Sequence, residues 1–432
     1  MKSLIEGKHG LKILYMQDKS VEGVAVILRF NAGSLNESAG KQGLAHLVEH
    51  CLTTFSNEVY TKKELNDSLS YFPYKNAFTG LREMDFVGLC NKNDFELLIN
   101  QFTSGFTEFA NLNEELLEEK KVVLQEIVTR VKKNSRLAPR IFVRKMRKEK
   151  NFRRLKEEVV LGSEDSIKKL RAKDIIDYKN KFFGLNNAIL CVAGNVSLKK
   201  VKKVCEKYIY ARLKSEGEKG FSYEESLPIR ENMLIKEESL EEQKSLLQVE
   251  WRYDDAPKFI TRKEGCENAI LSNIFSSMAF DKFRTKNSAC YSVSLKTYAE
   301  FKDRMVSFQV ECSHDKVQKN YQLLLELIEE IKTKGLSQKL FEFERKSYLD
   351  GYGLDATPLV RRAQNAVDRY SLYGVPITAK TLRRERLQFE KFSFEEANKE
   401  AQRRFKGKPN IILLTKNEIK IDESKVKVLL LK

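Results

Sequence analysis

The chain has 432 residues, 41% hydrophobic and 10% aromatic, enough for two or three domains with real cores and too apolar for a disordered chain. Its formal charge of +17 leaves nucleic acid, anionic membranes or acidic peptides open as partners, but no apolar run reaches the ~18–20 residues that span a bilayer. Seven singly scattered cysteines without a CxxC pair argue against a disulfide framework or a cysteine zinc site, and MKSLIEGKHGLKILYM has no signal-peptide core, so a cytoplasmic protein is expected.

Near the N-terminus, GLKILYM and VAVILRFNAG carry β-branched and aromatic residues that end in turn signals, and they predict strands. GLAHLVEHCLTT, residues 43–54, follows as a helix. YTKKELNDSLSYF predicts an amphipathic helix, AFTGL and MDFVGLCN predict strands, and 94–110 and 113–133 predict two longer helices. NNAILCVAGNVS reads as a strand ending in a turn, and SLKKVKKVCEKYIYARL as a helix opened by a serine cap. Residues 213–232 are polar, contain Gly and Pro and lack helical periodicity, which predicts a linker. The two halves echo each other once: Phe182, Gly184 and Asn187 match Phe405, Gly407 and Asn410 at a constant offset of 223, each set followed by an apolar strand. The expectation is two α+β domains of similar build, with antiparallel strands and long helices on one face, over 1–214 and 230–432 and joined by a linker at 215–229.

Two of the four histidines, His46 and His50, sit four apart on the predicted helix, so their imidazoles share one face and can meet one cation. Glu49 flanks that face and could take a proton from water. The order H-x-x-E-H inverts the familiar H-E-x-x-H zinc motif, and with this composition roughly 0.005 matches arise by chance. Zinc suits imidazole and carboxylate ligands, and a catalytic zinc takes three from the protein. His9 and His314 lie in unremarkable contexts, which favours a carboxylate as the third. NEELLEEKKVVLQEIVTR from Asn113 places Glu119 and Glu126 seven apart, beside an apolar stripe of Leu116, Val123 and Ile127. Glu118 reads as a solvent-facing acid. Cys51 follows His50 directly but points about 100° away and reads as a buried small residue.

With these residues in place the chain resembles the M16 family of zinc metallopeptidases over most of its length. GLAHLVEH is preceded by Ala32, Gly33, Ser34 and Glu37, as is customary there. The resemblance makes His46, His50 and Glu126 the ligands of one zinc ion per chain, Glu126 lying 76 residues beyond His50 in VVLQEI. It makes Glu49 the residue that activates water, and Glu119 the carboxylate that orients a ligating histidine. Asn76, Ala77 and Thr79 match the family's N-A-x-T strand, so Asn76 and Ala77 would hold the substrate backbone by strand addition. GNVS at 194–197 matches the end of the first domain, and FRTKNSACYSV resembles a second-domain signature in which Arg284 and Tyr291 grip substrate and polarise the scissile carbonyl. Two departures stand out: NIFSSMAF holds no glycine, and FPYK replaces the glycine before N-A-x-T.

The resemblance implies an α+β fold of two homologous LuxS/mitochondrial-processing-peptidase-like domains and a zinc-dependent endopeptidase. Two domains are half of the family's four-domain chamber, so a homodimer is expected, or a heterodimer with a diverged M16 partner, each zinc being completed by the other chain's Arg284 and Tyr291. A non-catalytic M16-like subunit that binds peptides or assembles is the alternative; intact His46, Glu49, His50 and Glu126 speak against it. From Arg130 to Lys156 there are thirteen Lys or Arg and one acid, Glu149, which reads either as solvated surface or as a lining that favours acidic peptides. No nucleic-acid-binding signature accompanies that charge, so nucleic acid is not an expected partner, and neither is a membrane.

Overall fold

A computed structural model describes residues 2–131, 160–219, 233–237, 244–253, 261–300, 303–351, 358–407, 409–415, 420 and 427–431. The basic stretch lies almost wholly outside these residues, as does most of the linker.

The chain forms two compact units. Unit 1 holds β1 (Lys2–Glu6), β2 (Lys12–Gln17), β3 (Gly23–Phe30), α1 (Leu44–Thr54), α2 (Lys62–Tyr71), β4 (Tyr74–Thr79), β5 (Met84–Asn91), α3 (Phe95–Ser104), α4 (Leu112–Val131), α5 (Glu164–Lys169), α6 (Ala172–Phe182), β6 (Ala188–Gly194) and α7 (Leu198–Val204). Its six strands run β1-β2-β6-β3-β5-β4. Neighbours are antiparallel except β2 and β6, which are parallel.

Unit 2 holds β7 (Met233–Glu237), β8 (Ser245–Arg252), α8 (Arg262–Ala279), β9 (Ser292–Glu300), β10 (Asp303–Cys312), α9 (Val317–Lys334), α10 (Gln338–Gly351), and, after the α11 segment treated below, α12 (Ala379–Lys391), α13 (Phe394–Arg404), β11 (Asn410–Leu414) and β12 (Lys427–Leu431). Its order is β12-β7-β11-β8-β10-β9. Five positions correspond: β7, β11, β8, β10 and β9 stand where β2, β6, β3, β5 and β4 stand in unit 1. The parallel pair recurs between β7 and β11. The outer strand differs, β1 antiparallel to β2 and β12 parallel to β7. The repeated F-x-G-x-x-N leads into β6 and β11, the equivalent strands of the two sheets.

The observed class is α+β with antiparallel-rich sheets. One expectation needs correction: helices cover both faces of the unit 1 sheet. On one face α1, α3, α4 and α6 bury Val24, Val26, Leu28 and Phe30. On the other, Ala25, Ile27, Cys191 and Ala193 pack against Ala363, Ala366 and Val367 of α11 (Leu359–Tyr373). Helix α11 therefore belongs to unit 1, although the sequence reading put it in the second domain. The cause is visible in β3 and β6: their apolar residues are consecutive, so each face needs a cover.

That layer also holds a buried charge, Arg29, 4% exposed. Its guanidinium donates in two-pronged fashion to Asp85 (Nε–Oδ1 and Nη2–Oδ2, both 2.6 Å), and Nη2 also donates to Asp368 of α11 at 2.7 Å. Gln364 Nε2 donates to both carboxylates. The buried cation is thus fully engaged, which makes burying it tolerable.

Candidate metal centre

The centre begins with how α1 starts. Gly43 has φ +87°, a conformation that disfavours other residues, and a Cβ there would lie 2.7 Å from the Leu161 carbonyl. The Glu37 carboxylate accepts from the backbone N–H groups of Gly43 (3.0 Å) and Ala45 (2.8 Å), placing negative charge at the positive end of the helix. Leu44, Leu47, Val48, Cys51 and Leu52 lock the helix into the core. That turns His46, Glu49 and His50 to its other side. Cys51 is fully buried, and burial holds its thiol well above the ordinary range, so it has no nucleophilic character.

Helix α4 supplies the carboxylates. Its stripe of Leu116, Val123 and Ile127 is buried, and Glu115 fixes its distance from α1 by accepting from the Ser56 backbone N–H at 2.8 Å. Glu126 Oε2 then lies 3.6 Å from His46 Nε2 and 3.9 Å from His50 Nε2. The ligand atoms of His46, His50 and Glu126 are all within 4.8 Å of one another. Ligands on a tetrahedral zinc are roughly 3.2–3.6 Å apart, so two imidazoles and a carboxylate at these distances fit that ion.

Glu119 Oε1 sits 2.8 Å from His50 Nδ1. Accepting the Nδ1 proton there leaves Nε2, the atom facing Glu126, as the ligating nitrogen. Burial works against charge on His50, but the Glu119 hydrogen bond and the carboxylates of Glu49, Glu119 and Glu126 outweigh it and raise its pKa. The pocket therefore attracts positive charge. Lys62 adds one balancing cation, its Nζ 3.9 Å from Glu119.

Glu49 is 8% exposed, and its Oε2 accepts from Thr79 Oγ1 at 2.6 Å. Thr79 lies on β4, an edge strand of the sheet. The side chains of Lys75, Ala77 and Thr79 turn inward along β4, while Tyr74, Asn76 and Phe78 are exposed. Asn76 and Ala77 are mid-strand, and the Asn76 side chain accepts from the Ala77 N–H.

In unit 2, α8 ends in a π-helical turn, Phe280–Thr285. There the Arg284 guanidinium lies 5.2 Å from the Phe280 ring centre and 5.3 Å from that of Tyr291. Arg284 is exposed and Tyr291 is 80% exposed. The structure thus brings Arg284 and Tyr291 together as a stacked pair.

Sequence reasoning missed the capping role of Glu37, the support of Glu49 by Thr79, and Lys75. The period-2 pattern of β4 was the available signal for Thr79 and Lys75.

Two profiles match the sequence: "Insulinase (Peptidase family M16)" over residues 12–158 and "Peptidase M16 inactive domain" over 169–348. The chain belongs to peptidase family M16. This M16 chain is 26% identical over 348 residues to an uncharacterized zinc protease of Rickettsia bellii, covering 78% of the chain and 79% of that relative. It is 27% identical over 193 residues to the probable zinc protease PqqL of Haemophilus influenzae, 42% of the chain and 20% of that protein. The fold is similar to a protease from Helicobacter pylori (TM-score 0.77, 17% identity, 96% of this chain and 99% of that one). It is also similar to the periplasmic protease PqqL from Escherichia coli (TM-score 0.77, 16% identity, 96% of this chain), but spans only 48% of that protein's length. The relatives support a peptidase-type function and zinc as the metal. Among the described residues no helix is long and apolar enough to cross a membrane.

Proposed function

We propose that this M16 chain is a zinc-dependent endopeptidase that takes its substrate in extended form along β4. One observation carries the reading: the ligand atoms of His46, His50 and Glu126 converge within 4.8 Å, beside Glu49 on the same helix. Zinc held by these three would polarise the scissile carbonyl and make water nucleophilic near neutral pH. Glu49 accepts the proton of the attacking water and passes it to the departing amine, while Thr79 keeps its carboxylate aimed. Glu119 holds the tautomer and angle of His50. Asn76 and Ala77 offer an edge strand to which a peptide backbone adds. Arg284 and Tyr291 bring a guanidinium and a phenol to the oxyanion.

The working form in this proposal is a dimer in which each zinc site is completed by the Arg284 and Tyr291 of a second chain. A homodimer is the simplest case, and a heterodimer with a diverged M16 partner the alternative. Mixing a Glu49→Gln chain with an Arg284→Ala chain restores activity if sites are shared, and gel filtration with each chain alone separates the two kinds of dimer. No recovery on mixing rejects the shared site.

Metal analysis tests the central reading. About one zinc per chain, absent from His50→Ala, is the expected result, with hydrolysis of a peptide pool abolished by a chelator. A chain that purifies without metal and hydrolyses nothing is the peptide-binding or assembly subunit instead. We also keep the cytoplasm as the proposed compartment, on seven cysteines that are all unpaired. Recovery of the protein in the periplasmic fraction of its cell, the compartment of the Escherichia coli protease PqqL, rejects that.

A further inference from the structure

A cavity of about 210 Å³ opens beside the candidate metal centre and is lined by residues that include Glu49, Ala77, Phe86, Phe102, Lys75 and Gln101. Its walls are mainly apolar, and it belongs entirely to unit 1. Lys75 points inward from β4. Its Nζ donates to Ser68 Oγ and to Gln101 Oε1, each at 2.8 Å, and both partners are buried. Those acceptors are neutral, and an ammonium has three donors. Burial alone lowers its pKa to about 8, with no carboxylate compensating. The two hydrogen bonds satisfy Ser68 and Gln101, but among the described residues no carboxylate pairs with the charge, which leaves it open to an anionic partner.

The strand places this charge relative to Glu49. Thr79, which holds Glu49, and Lys75 lie on the same face of β4, four residues or roughly 13 Å apart. Ala77 stands between them and leaves the space open. A peptide added along β4 with its scissile bond at Glu49 would run past this cavity, whose lining includes both Glu49 and Lys75.

We propose that Lys75 is a specificity-determining residue that selects an acidic substrate side chain next to the scissile bond, its third N–H donor meeting the carboxylate while Phe86 and Phe102 contact the methylenes. This rests on the endopeptidase reading for the position of the scissile bond, but not for the pocket itself. The departure at FPYK, where the family pattern has a glycine before N-A-x-T, thereby acquires a role: the lysine of that stretch reads the substrate.

The test uses fluorescein-labelled dodecapeptides of one neutral sequence, each with a single Glu or its Gln counterpart at successive positions. Binding is measured by anisotropy on the full Glu49→Gln chain, so no turnover is needed. The expected result is one position where Glu binds roughly tenfold or more better than Gln. Lys75→Met removes that preference, and Lys75→Glu transfers it to Lys at the same position; thermal melts confirm that each variant is folded. If Lys75→Met does not fold, Lys75→Gln and Lys75→Glu carry the comparison. Equal binding of Glu and Gln peptides, no binding, or a preference that survives at Lys75 variants overturns the proposal. Product masses from the wild-type chain report separately: cleavage beside the preferred Glu supports both readings. A Glu preference without hydrolysis rejects the endopeptidase and leaves the pocket standing. Cleavage with no such preference rejects the pocket and leaves the endopeptidase standing.

Discussion

The two sheets share the order of five strands and differ, among the described residues, in how those strands bury their side chains. In unit 1, β3 and β6 are apolar at successive positions and are covered on both sides, the second cover being α11. In unit 2, β10 alternates: Val306, Phe308, Val310 and Cys312 are buried, while Met305, Ser307, Gln309 and Glu311 are half-buried. The candidate residues differ in the same sense. His46, Glu49 and Glu119 are buried and held by hydrogen bonds or ion pairs from several elements, whereas Arg284 and Tyr291 stack in the open. A group that must hold a metal and aim a proton acceptor needs a rigid scaffold. A group that only meets the substrate can wait on the surface. Unit 1 should thus be intolerant of change where unit 2 is tolerant, and substitutions can measure the contrast.

The largest effect belongs to Glu49→Gln. Under the proposed mechanism, replacing Glu49 while keeping its shape should lower kcat by about 10²–10⁴-fold with zinc content and melting temperature unchanged. Retained hydrolysis would mean that the buried Glu49 does no chemistry, and the contrast would then be one of stability alone.

Arg29→Met comes next. It leaves Asp85 and Asp368 together under α11 without their cation and should cost about 3–5 kcal/mol in denaturant unfolding. A loss below 1 kcal/mol would show that α11 does not seal the second face, and the difference between the sheets would lose its energetic content.

Much of this contrast was legible in the sequence, though unevenly. Helix α1 could be read because its apolar residues recur at helical spacing and both histidines fall on one face. Glu119 and Glu126 could be read because seven residues return to the same side of α4. The repeat surfaced at Phe182 and Phe405 because both stretches lead into strands at equivalent positions, β6 and β11. What could not be read depends on distant partners. Arg29 and Asp368 are 339 positions apart, so nothing local announces that α11 crosses to the first sheet. Strand β4 begins at Tyr74, earlier than AFTGL suggests, because its register is set by Leu89 on β5 rather than by its own residues. Lys75 carries no local signal of its contacts, since its partners Ser68 and Gln101 lie on two other helices.

A smaller effect tests how deep the organisation of unit 1 goes. Glu119→Gln keeps the shape beside His50 but weakens the hydrogen bond that fixes its ring. Zinc affinity should fall about 10–100-fold in a chelator competition, with the fold intact. An unchanged affinity would mean that the packing of α1 alone orients His50, making Glu119 dispensable.

The smallest effect on stability is expected in unit 2, and it is the most discriminating. Arg284→Ala and Tyr291→Phe remove groups that are exposed and, among the described residues, stack with each other and Phe280. Each should leave unfolding within about 0.5 kcal/mol of wild type. Under the proposed mechanism each lowers kcat, because a guanidinium or phenol that meets only the oxyanion contributes in the transition state and not in the ground state. A fall in stability with no change in kcat would reverse the assignment: the pair would be a structural stack at the end of α8, and the chemistry of this chain would reside in unit 1 alone.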